Sequence, residues 1–342
     1  MKRALLAAAA AALVSGCGRR SPCDFVAKRY DALPLLKPIP KDSEHLIRIL
    51  YLEDGRVPGL DAKGRAALYS RVETLVPRWL GHRVKLREVG ARDLRAEFAR
   101  ADAPFKRPQE AACIADADFE PLSARGRDVV LNLMEREYAL RGAAVFDRLF
   151  PQSKGLPAAD AQQSALRRFL ALQNSLAAIA TTDGPLIQTP EDRAMYSFMR
   201  WSPYLRELTE ADFVLTNAAL LVPDNDMPIY VLARGGLTTG FVDNAPAATY
   251  GATGMVTLLP FLSGERLLNP AGRATTAEEN LDAAATMWLH ELGHFLNRYG
   301  EMYGETGCVH VASEGLDYFE WHRAIRKNDN RCTHKPAVVA KF

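Results

Sequence analysis

The residues best equipped for chemistry lie near the C-terminus, in the run His290-Glu291-Leu292-Gly293-His294. On a helix, residues four apart share a face, so both imidazoles can point at one ion. Zinc suits imidazole nitrogen, and a catalytic zinc keeps three protein ligands and a water. Glu291, beside the first imidazole, is placed to take a proton from that water, whose pKa the metal lowers. The chain has seven histidines, and five of them (His290, His294, His310, His322 and His334) follow residue 289. Trp288, Leu289, Leu292 and Phe295 surround the run with apolar side chains, which sets the imidazoles near a packed interior.

A helix must carry this run. Thr276-x-x-Glu279 reads as a capping box at its start, the apolar pattern continues to Tyr299, and Gly300 is the expected stop. A second helix is expected over residues 313–320, with Ser313 as N-cap. That segment resembles the gluzincins, the thermolysin-like zincins, whose second helix carries a Glu ligand in contexts such as Glu-Gly-Leu. Glu314 stands 20 positions after His294, the spacing of those enzymes. The resemblance implies that His290, His294 and Glu314 bind one catalytic Zn2+ and that Glu291 is the base. It also implies an orienting role for Asp317 behind a ligand imidazole, although Asp317 follows Glu314 by three positions where the family has four.

The wider layout is similar to the metzincins, particularly the archaemetzincins, with their HExxHxxGxxH motif and later Cys-x-Met. Here Asn297 replaces the glycine, Gly300 replaces the third histidine, and Cys308-Val309-His310 stands where Cys-x-Met would be. That ligand triad therefore does not carry over, and His310 is the alternative third ligand. Tyr303, Tyr318 and His322 are candidates for the group facing an oxyanion. In zincins the strand before the site helix aligns an extended substrate, which here would be residues 254–262.

Around the site the chain reads as an α/β (α+β), zincin-like fold: a mixed twisted sheet, the HExxH helix and a helical insertion. Residues 45–52 form a strand, 61–80 a helix with Leu68, Val72, Leu75, Val76 and Trp79 on one face, and 82–89 a second strand after Gly81. Helices are expected over 123–150, 158–180 and 191–208, as packing or a lid. Strands return over 213–221 and 229–233, and the glycine-rich stretches at 235–236 and 240–254 read as loops. The resulting division is a leader at 1–16, a tether at 17–44, an N-terminal α/β part at 45–120, a helical insertion at 121–210 and a zinc catalytic part at 211–342.

The N-terminus is a targeting signal by its order of features. Met1-Lys2-Arg3 is basic, residues 4–14 are apolar, and Val14-Ser15-Gly16-Cys17 resembles the lipobox of bacterial lipoproteins. The resemblance implies an exported chain lipidated at Cys17 and held at a membrane. Gly18, in place of an inner-membrane Asp signal, points to the outer membrane, facing the periplasm or the surface. Cys23, Cys113, Cys308 and Cys332 remain, and an even count in an oxidising compartment favours disulfides, with Cys23–Cys113 and Cys308–Cys332 the expected pairs. The repeated Cys-x-His at 308–310 and 332–334 leaves open a second, structural zinc. Without Lys2 and Arg3, the 43 basic residues fall to 41, equal to the 41 acidic ones. That balance excludes the basic footprint of a nucleic-acid binder. The expected activity is zinc-dependent hydrolysis of a protein or peptide substrate. The alternatives are a zinc amidase acting on cell-wall peptides and a non-catalytic binding or structural lipoprotein.

Overall fold

The computed structural model describes residues 37–102, 154–198, 201, 210–224, 227–231, 235–240, 250–300, 302, 307–313, 317–334 and 338. Cys17, Cys23, Cys113, Tyr303, Glu314 and the helix expected over 123–150 lie outside them. Among the described residues no helix is long and apolar enough to cross a membrane.

The chain opens as a parallel β-α-β unit. β1 (Glu44–Glu53) and β2 (Arg83–Asp93) pair in parallel around α1 (Ala62–Leu80). Asp61 caps α1 by accepting from the Gly64 amide, and Gly81, at φ 75°, ends it in the left-handed conformation that glycine adopts without strain. α2 (Leu94–Asp102) follows, then α3 (Ala158–Ala177) and a small hairpin of β3 (Ala180–Thr181) and β4 (Gly184–Pro185). α4 (Pro190–Tyr196) is interrupted at Ser197, which turns extended and bridges Leu221; residues 202–209 of the helix expected to 208 lie outside the described residues. β5 (Phe213–Thr216) is likewise shorter than its apolar run, since the chain turns after Thr216.

β6 (Val222–Asp224) and β7 (Met227–Val231) form a hairpin, and β8 (Gly236–Gly240) and β9 (Ala252–Thr257) complete the main sheet. Its order is β2-β1-β5-β9-β8, parallel except for β8, which runs antiparallel to β9 at the edge. This corrects two expectations. Gly236 and Gly240, read as loop, belong to strand β8, and the loop expected over 240–254 gives way to β9 from Ala252. The strand before the site helix is β9, which lies inside the sheet with both edges paired and gives way to the short helix α5 (Leu259–Leu262).

Alternation along the strands builds two cores. Ile47, Ile49, Tyr51, Phe213, Leu215 and Val256 face α1 and the long helix α6 (Ala277–Asn297). Leu50, Leu52, Val214 and Met255 face the opposite layer, with Leu176, Met195, Tyr196 and Trp201. The described part of the expected helical insertion is therefore packing for the sheet. α6 is seated by rings: Phe213 lies 5.0 Å from Phe295 and 6.2 Å from Trp288, and Gly254 lets the Phe213 ring sit where a Cβ would come within 2.1 Å. α7 (Tyr318–Lys327) closes against α6.

Candidate metal centre

Thr276 starts α6 by accepting from the Glu279 amide, as its capping pattern requires. The helix ends one turn before Gly300 would stop it. Arg298, at φ 56°, makes the left-handed cap, and its amide returns to the Gly293 carbonyl. Its guanidinium is buried and donates to the Lys37 and Tyr250 carbonyls, and desolvation lowers its pKa to about 10.

His290 and His294 lie one turn apart on α6, both buried, with ring centroids 4.7 Å apart and planes at 87°. Each ring meets a main-chain carbonyl through Nδ1: His290 with Val309 at 2.7 Å, His294 with Tyr299. A carbonyl can only accept, so each Nδ1 must carry the hydrogen, and a neutral ring then presents Nε2 as a lone pair. The two Nε2 atoms face each other at 3.2 Å. Two acceptor lone pairs repel at that distance, and a cation between them reverses the sign. Nitrogens bound at 2.0–2.1 Å to a tetrahedral zinc stand about 3.3 Å apart, so the observed separation fits that ion.

Glu291 is buried under the edge strand. Thr238 of β8 donates its hydroxyl to Glu291 Oε2 at 2.7 Å and also lies 3.2 Å from the Glu291 carbonyl. Leu292 faces the core, and Gly293 makes room for His310, whose Nδ1 would lie 2.8 Å from a Cβ there. The His310 ring also packs edge-on against Tyr299 at 4.6 Å. Burial, with His290 and His294 nearby, pushes the His310 pKa down to about 3. Among the described residues no three His, Cys, Asp or Glu side chains are gathered as a metal site, His310 included.

Several expectations are corrected at this point. Asp317 is the N-cap of α7, accepting from the Glu320 amide at 3.1 Å, so α7 starts at Tyr318 and Ser313 is not its cap. The two imidazoles are oriented by the carbonyls of Val309 and Tyr299, and not by Asp317. The Cys-x-His pair does not offer thiolates to a structural zinc, because Cys308 and Cys332 are joined in a disulfide. Of the oxyanion candidates, Tyr318 packs its ring on Phe261 and against Gly235, next to Gly236 of β8. His322 meets Thr286, one turn before His290, through Nδ1 at 2.8 Å. Burial pushes the His322 pKa down to about 4 and keeps the ring neutral near pH 7.

The segment around Val309 is fixed from α7. The Val309 amide donates to Asn330 Oδ1 at 2.7 Å, and Asn328 Nδ2 donates to the Gly307 carbonyl at 3.2 Å. Thr238, Gly236, Asn330 and the two carbonyls had not been singled out from the sequence. The carbonyls have no sequence signal, and only a strand assignment for residues 236–240 would have brought Thr238 to Glu291. Comparison with family models, with curated proteins and with solved structures finds no match for this chain.

Proposed function

We propose that the chain is an exported, lipid-anchored zinc peptidase of zincin type, with His290 and His294 as ligands, Glu314 as third ligand and Glu291 as general base. One observation carries the reading: both imidazoles commit Nδ1 to main-chain carbonyls and converge Nε2 on one point, 3.2 Å apart. Such outer partners fix the tautomer and direction of metal-binding histidines. Zinc held there supplies an activated water and polarises the scissile carbonyl. Glu291, next to His290 in the chain, would serve as the base that takes the water's proton and returns it to the departing amine. A structural zinc would normally be closed by four protein ligands and has no use for a buried base.

Substrate presentation falls to β8. Among the described residues it is the edge of the sheet, Glu291 lies beneath it, and an edge strand offers amides and carbonyls to an extended peptide. This replaces residues 254–262 in that role. The lipid anchor rests on the Val14-Ser15-Gly16-Cys17 run.

The test is zinc content per chain together with hydrolysis of fluorescent casein. Wild type should hold about one zinc, as a single catalytic site requires, and Glu314→Ala should lose it. Glu291→Gln should keep the zinc and lose turnover. A wild type without zinc overturns the reading. Zinc kept in Glu314→Ala and lost in His310→Ala moves the third ligand to His310.

A further inference from the structure

β8 holds the base from two sides. Residues 236 and 238 project to the same face of the strand, toward α6, while Leu237 joins the opposite core. The Thr238 hydroxyl, itself buried, donates to Glu291 Oε2 at 2.7 Å. Its second acceptor, the Glu291 carbonyl at 3.2 Å, keeps the hydroxyl seated on that one residue. At Gly236 a Cβ would come within 2.7 Å of both Cγ and Oε1 of Glu291, so the strand backbone closes over the other carboxylate oxygen. A long carboxylate side chain with three rotatable bonds is thereby confined to one orientation before any substrate arrives.

We propose that Thr238 is a positioning residue for the Glu291 base, with Gly236 providing the clearance that lets the carboxylate lie against β8. The inference rests on the peptidase reading above. Thr238 takes no part in bond making. It fixes Oε2 and so sets the direction in which the carboxylate meets the attacking water. Because the same strand is the edge available to a peptide, base and substrate backbone share one rigid reference. The strand itself is held by its antiparallel ladder with β9, which sets the glycine beneath the carboxylate and the threonine beside it.

The experiment measures kcat and KM for fluorescent casein, zinc content and Tm on the full chain. The variants are Thr238→Val, Thr238→Ser, Gly236→Ala, Glu291→Gln and the double variant Thr238→Val/Glu291→Gln. Valine keeps the shape and removes the donor. Losing a hydrogen bond to a charged group should lower kcat by about tenfold to a hundredfold, with KM and zinc content unchanged. Serine restores the donor and should recover most of kcat. Gly236→Ala, which displaces the carboxylate, should lower kcat at least as far with zinc retained. The double variant should be no slower than Glu291→Gln, because a positioning residue has nothing left to position. If Glu291→Gln stays active, the peptidase reading itself fails. If it is inactive while Thr238→Val keeps wild-type kcat, or serine restores nothing, only the positioning role falls. A further loss in the double variant likewise assigns Thr238 to the fold alone.

Discussion

On the sheet face that carries α3 and α4, buried charge is closed on itself. Tyr196 donates to Asp54 at 2.6 Å, Arg56 pairs with Asp54 at 3.2 Å and Asp192 at 3.4 Å, and Asn217 bonds the main chain on both sides of Asp54. Burial and the Asp54 carboxylate push the Tyr196 hydroxyl pKa up, so it stays a donor throughout the neutral range. On the face that carries α6, the buried polar groups converge: two imidazole nitrogens point at each other, with a carboxylate as their neighbour. Neutralised networks of the first kind hold a fold in register. A convergence of like acceptors is an arrangement that a bound cation would stabilise. The contrast sets a structural network beside a candidate site, although the groups of both are buried.

The comparison would be broken most directly by removing metal. At free zinc of 1,000 times Kd, chelation should lower the unfolding free energy of wild type by about 4 kcal/mol in urea titrations. His294→Ala, with no facing pair, should respond to chelator hardly at all. Next in size is Asp54→Ala. Removing the acceptor of Tyr196 and one of the carboxylates paired with Arg56 should cost about 2 kcal/mol while zinc content stays at the wild-type value. A loss of zinc in that variant would show the two faces to be coupled.

Smaller effects sharpen the picture of what supports the imidazoles. Asn330→Ala frees the Val309 amide, and with it the carbonyl that holds His290, so zinc affinity measured by chelator competition should fall about tenfold. The smallest effect concerns His322. Its folded pKa of about 4 lies below the ordinary 6.5, so the unfolded chain takes up its proton first as pH falls. The contribution is therefore full above pH 6.5 and is lost between 6.5 and 4. In metal-free protein, His322→Gln should lose less stability than wild type between pH 7 and pH 6, by about 0.7 kcal/mol.

Much of the frame was legible because its signals are local and periodic. Leu68, Val72 and Val76 repeat at helical spacing between Asp61 and Gly81, and the 290–294 run follows a capped, apolar helix start at Thr276. β8 was illegible for a physical reason: Gly235 and Gly236 read as loop, yet Gly236 is in the strand because Glu291 lies against its backbone. The start of α7 was misplaced because Ser313 and Asp317 are both good N-cap residues, and only the hydrogen bond to Glu320 separates them. The partners of the imidazoles are main-chain atoms, which composition and spacing do not encode.

The left-handed residue Arg298 has a consequence for the order in which the site assembles. By reversing the chain at once, it brings the Tyr299 carbonyl onto His294, five positions back, so that ring is oriented by a contact nearly as local as a helix turn. His290 waits for Val309, 19 positions away and tied down through Asn330 and the Cys308–Cys332 contact. By loop-closure entropy alone the longer connection costs about 1 kcal/mol more. During folding, one nitrogen is therefore aimed early, and the second is aimed only once the segment around Val309 is in place.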